Sequence, residues 1–86
     1  MDYLSITDDD IGKLHRTIAK NVKKIRKEKQ INQLDLALTI GHKSMSTIGK
    51  IEAGLEDKHY NIEQLYKISK ALDVPICRFF EDVEDL

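Results

Sequence analysis

Between Asn32 and Gly54 the chain is punctuated at helix-length intervals, and this punctuation constrains the fold more than any other feature. Asn32 is suited to open a helix, because its side-chain oxygen can accept a backbone N–H that the first helical turn leaves unbonded. Asp35 follows at the third position, and Ile31 with Leu36 has the spacing of an apolar staple across the cap. Gly41 then closes the segment, since a residue without Cβ enters the left-handed region freely. Ser44 offers a second cap and Gly54 a second stop. The pattern predicts two short helices, 33–40 and 45–53, joined by a tight turn. Ala37 is small enough for the helices to cross closely, and Ile48 and Ile51 point one face of the second helix inward. A braced pair of this shape can present its second helix to a DNA major groove.

The flanking sequence reads the same way. Thr7 and Asp10 have capping-box spacing, Ile6 and Ile11 staple spacing, and Ile11, Leu14, Ile18, Val22 and Ile25 form one stripe of a long helix over 8–29. Gly12 weakens its first turn by about 1 kcal/mol. Asn61 with Gln64 repeats the box before a helix at 62–72, with Tyr60 and Leu65 as staple and Ile62, Leu65, Ile68 and Leu72 as stripe. Pro75 suits the first turn of a last helix, 75–83. No segment pairs as β-strands, so the expected class is all-α: one five-helix domain over 1–86.

Charge adds a direction. The net charge is −1, yet residues 13–50 carry ten Lys or Arg against only Glu28 and Asp35, while both ends are acidic. A polyanion meets the local basic face, because salt screens charges beyond about 8 Å. No uncharged run can span a bilayer, and the acidic N-terminus is unlike a secretion signal. With Cys77 alone there is no internal disulfide, so a cytoplasmic setting is expected and the thiol is read as an ordinary packed side chain. His15, His42 and His59 lack paired ligand spacing, so no metal or other cofactor is expected. No nucleophile–base arrangement or phosphate-binding glycine loop is present to suggest an enzyme.

Residues 18–80 resemble the Xre/Cro/CI type of lambda-repressor-like helix-turn-helix domain. The resemblance is carried by Ile25-Arg26, Asn32-Gln33, Leu36-Ala37, Gly41, Ser44, Ile48, Ile51-Glu52-x-Gly54, and Leu65, Ile68, Ala71-Leu72-x-Val74 and Phe80. It implies a compact five-helix DNA-binding domain, here with a lengthened first helix, acting as a homodimer on an inverted-repeat operator. Base contacts would come from Ser44, Met45, Ser46, Thr47 and Lys50, and phosphate contacts from Asn32, Gln33 and the turn residue Lys43. Arg26 and Glu52 would form a structural ion pair. Three departures stand out. One extra residue lengthens the turn at His42-Lys43-Ser44, Gln30 stands where the family often has glycine, and the usual glutamine or arginine readers are missing.

On the last helix Ile76, Phe79, Phe80 and Val83 make a stripe larger than one small core needs, which is read as a dimer interface, with closure of the core as the alternative. The expected partners are therefore double-stranded DNA and a second copy, in a stand-alone transcriptional regulator with no membrane association. A rival reading is an antitoxin whose acidic ends bind a basic toxin, DNA binding being secondary. A further one is an interaction module that no longer binds DNA.

Overall fold

The computed structural model describes residues 5–86. Four α-helices, α1 (Asp8–Glu28), α2 (Gln33–Thr39), α3 (Ser46–Ala53) and α4 (Ile62–Leu72), are followed by 3-10 turns at Ile76–Phe80 and Val83–Asp85. No strand occurs among the described residues. The all-helical expectation holds, with the ends of the four α-helices within one residue of the positions read from the sequence.

Three of the starts are capped as expected. Thr7 Oγ1 accepts the Asp10 N–H at 3.2 Å while Asp10 Oδ2 accepts the Thr7 N–H at 2.9 Å. Asn61 and Gln64 exchange the equivalent bonds at 2.8 and 2.9 Å, and Asn32 Oδ1 takes the Asp35 N–H at 2.8 Å. The start of α3 differs. Its cap position is Met45, without a side-chain bond, and the one backbone N–H that Ser44 Oγ accepts is that of Ser46, at 3.4 Å.

All four α-helices end alike, with two N–H groups turning back around a left-handed residue. At α1, Gln30 and Ile31 N–H groups return to the Lys27 and Arg26 carbonyls, each at 3.0 Å. The left-handed position is Gln30 there, Gly41 after α2, Gly54 after α3 and Asp73 after α4, with φ of +60°, +84°, +70° and +55°.

The core joins Ile18, Val22 and Ile25 of α1, Leu36 and Ala37 of α2, Ile48 and Ile51 of α3, and Leu65, Ile68 and Leu72 of α4. Ile62 and Ile11, assigned to buried stripes, are 68% and 46% exposed. Ile11 precedes Ile18, the first buried residue of α1, and Ile62 is exposed to solvent although the start of α4 abuts the buried Tyr60. The Ile6–Ile11 staple is correspondingly exposed, whereas Tyr60 and Leu65 are buried. Cys77, read as packed, is exposed.

The largest difference is at the C-terminus. The expected helix 75–83 is a 3-10 turn that ends at Phe80. Glu81 is extended and Asp82 left-handed. Asn21 of α1 supplies the reason. Its Nδ2 donates to the carbonyls of Phe79, at 3.0 Å, and Glu81, at 2.8 Å. In a continuing α-helix the Phe79 carbonyl would accept from Val83 instead. The expected interface stripe must be corrected with it: Phe79 is fully buried in the core, and Ile76, Phe80 and Val83 are half-buried against it. Phe79 is thus a core residue and presents no surface to a partner.

Candidate nucleic-acid interface

The α2–turn–α3 unit is held from beneath by a buried ion pair. Arg26 meets Glu52 in a two-pronged contact, Nε to Oε2 and Nη2 to Oε1, both 2.8 Å, with side chains only 8% and 3% exposed. The third nitrogen, Nη1, donates to the Ile31 carbonyl at 2.8 Å. Glu52 Oε1 also accepts from Gln33 Nε2 at 3.0 Å. One guanidinium–carboxylate pair thus ties the end of α1, the start of α2 and the end of α3 together, with its polar atoms satisfied as burial demands.

Two opposing effects act on Glu52. Burial raises its pKa, but the hydrogen bonds from Arg26 and Gln33, with the charges of Arg26 and Lys23, prevail and hold it below the ordinary value. The Tyr60 phenol is raised by burial and then by the Glu52 charge, with Arg26 opposing, and its hydroxyl has no hydrogen-bond partner among the described residues.

Gly41 lets the chain leave α2 steeply: the His42 N–H returns to the Ala37 carbonyl at 2.9 Å, and the backbone then runs to α3. Ile48 and Ile51 fix one side of α3 in the core. Lys43, Ser44, Met45 and Ser46 are exposed, while Thr47 and Lys50 are half-buried. Ser44 and Ser46 hydroxyls lie 3.0 Å apart. The lengthened turn therefore presents a run of small hydroxyls and one thioether between two lysines, Lys43 in the turn and Lys50 on α3. Asn32 is exposed beside this unit, but its side chain is used as the α2 cap.

Two placements modify the roles read from the sequence. Gln33 spends one amide hydrogen on Glu52, and Lys50 Nζ is paired with Glu56 Oε2 at 3.0 Å. Nothing in the spacing of the chain announces the Lys50–Glu56 contact, because it depends on how the loop after Gly54 turns back. The same loop brings His59 onto His15 of α1, with ring centroids 3.7 Å apart and 15° between planes. Burial and then the neighbouring His59 lower the His15 pKa. Two of the three histidines that look scattered along the chain, His15 and His59, are in fact a stacked pair. No group of three or more His, Cys, Asp or Glu among the described residues is arranged to hold a metal ion. No described helix is long and apolar enough to cross a membrane.

No curated protein matches the chain. A helix-turn-helix family model matches residues 22–79, about two thirds of its length, spanning the Arg26–Glu52 pair, the α2–turn–α3 unit and Phe79. The geometry and this match together place the chain in the helix-turn-helix family of DNA-binding, transcription-regulating domains, Xre/Cro/CI type.

Proposed function

We propose that this chain is a sequence-specific transcriptional regulator that binds an inverted-repeat operator as a homodimer, with α3 in the major groove. The observation that carries this reading is the presentation of the exposed run Ser44–Ser46, with half-buried Thr47 and Lys50 beside it, above the buried Arg26–Glu52–Gln33 network. Serine and threonine hydroxyls suit several base edges or phosphates. The Met45 thioether suits a thymine methyl, and Lys50 suits guanine or phosphate. Asn32, Lys43 and the second amide hydrogen of Gln33 are the groups for flanking phosphates, which fix register without reading sequence.

Two copies related by a dyad would place their third helices about one DNA turn, roughly 34 Å, apart. The exposed parts of Ile76, Phe80 and Val83 are the surface assigned to that dyad.

Duplex selection from a random pool, followed by affinity measurements over a salt series, tests the function. Affinity should fall steeply and linearly on a log–log plot, each neutralised phosphate adding about 0.9 to the slope. Lys50→Ala and Met45→Ala should each weaken binding to the selected duplex by about 1–3 kcal/mol at unchanged melting temperature. A flat salt response, or equal affinity for all duplexes, overturns the reading.

A further inference from the structure

Lys50 is the only cation in α3, so whatever holds it controls the electrostatics of the helix assigned to the groove. In the free chain its ammonium is 3.0 Å from the Glu56 carboxylate. This is not a pairing of neighbours on one helical face. Glu56 reaches Lys50 from the loop after Gly54, where Glu56 and Asp57 both take left-handed backbone conformations, with φ of +57° and +51°. Residues bearing a Cβ disfavour that region, so consecutive examples persist only where the surroundings hold them.

The surroundings here do so. The Leu55 N–H returns to the Lys50 carbonyl at 2.9 Å, and the Lys58 N–H to the Leu55 carbonyl at 3.1 Å. His59 stacks on His15 of α1, and its Nδ1 lies 3.2 Å from the Asp57 carbonyl, within donating distance. The loop is therefore fastened to α3 at one end and to α1 at the other, with Glu56 between the two attachments.

We propose that Glu56 is a positioning residue, a built-in counter-ion that holds Lys50 in reserve. A phosphate or a guanine edge gains Lys50 only by displacing this carboxylate. The proposal rests on the reading of α3 as the DNA-facing helix. Its consequence is that the chain keeps down its own affinity for any duplex offering Lys50 a single anionic oxygen, since such an oxygen is little better than the one already in place.

The full chain and its Glu56→Gln, Lys50→Met and double variants decide the matter by fluorescence anisotropy on a labelled mixed-sequence duplex. Glu56→Gln should tighten binding about two- to fivefold in the wild-type background, the range an exposed ion pair supports. In the Lys50→Met background the same substitution should change nothing. Equal tightening in both backgrounds, which is the result for a carboxylate that merely repels phosphates, overturns the proposal, as does no tightening in the first.

The side-chain 15N resonance of Lys50 in the DNA-free protein should shift in Glu56→Gln, and an unmoved resonance also overturns it. A wild-type chain that binds duplex with a steep salt dependence but shows no coupling loses only this proposal. A chain that binds no duplex loses the DNA reading and the proposal with it, whatever the resonance does.

Discussion

Arg26 and Glu52 carry more structural consequence than any other pair of side chains, because three helix ends converge on them. Removing one partner leaves the other buried and uncompensated. Arg26→Ala should therefore cost about 3–5 kcal/mol in urea unfolding, far above an exposed lysine substitution. The Glu52 carboxyl is held below its ordinary pKa, so its contribution is complete above the unfolded value, about 4.3, and is lost as pH falls through the lower folded value. Below pH ~4 the wild-type melting temperature should drop more steeply than that of an Arg26→Met/Glu52→Leu double variant, and parallel curves would refute this account.

Gln30 is the opposite kind of residue, one that its site does not favour. It is exposed and left-handed at the end of α1. Gln30→Gly should raise stability by about 1 kcal/mol, the relief of the Cβ clash outweighing glycine's greater freedom in the unfolded chain. Thermal denaturation of that single variant checks it.

At the scale of elements, the four α-helices were legible because their limits are written locally. Thr7, Asn32 and Asn61 act on N–H groups within their own first turns, and a reader of the sequence needs nothing distant to place them. The segment after Pro75 was illegible for the complementary reason. Its apolar spacing fits an α-helix, but the carbonyls of Phe79 and Glu81 are taken by Asn21, which lies far away in sequence and sits on the polar flank of α1.

The candidate site divides along the same line. Arg26–Glu52 and the exposed run at Ser44–Ser46 both entered through resemblance to a family, the local signals marking only the turn that precedes α3. The pairing of Lys50 with Glu56 and the stack of His15 on His59 belong to a loop path that no local signal encodes. Asn21→Leu tests the element-scale explanation. It should leave Phe79 buried but free its carbonyl, loosening residues 79–86 in amide hydrogen exchange while α2 and α3 stay protected. Uniform loss of protection would show that the contact supports the whole domain instead.

For the molecule as a whole, the correction at Phe79 separates two effects that a single apolar stripe had merged. Phe79→Ala should act on folding, costing about 3–5 kcal/mol as a core aromatic truncation does. Phe80→Ala, at a half-buried position on the rim, should act on association, shifting sedimentation toward the monomer with its helical circular dichroism retained. If Phe80→Ala sediments as the wild type does, the proposed interface at Ile76, Phe80 and Val83 is refuted.

The amide of Asn21 has a mechanical meaning as well. It fastens the middle of α1 to residues 79 and 81, so it lies across the path by which tension applied at the C-terminus reaches the core. A pull on the tail loads Val83 and then the Glu81 carbonyl held by Asn21 before it reaches Phe79. The clasp can yield while the Arg26–Glu52 network and the α2–turn–α3 unit remain whole, so the last residues form a fuse rather than a handle.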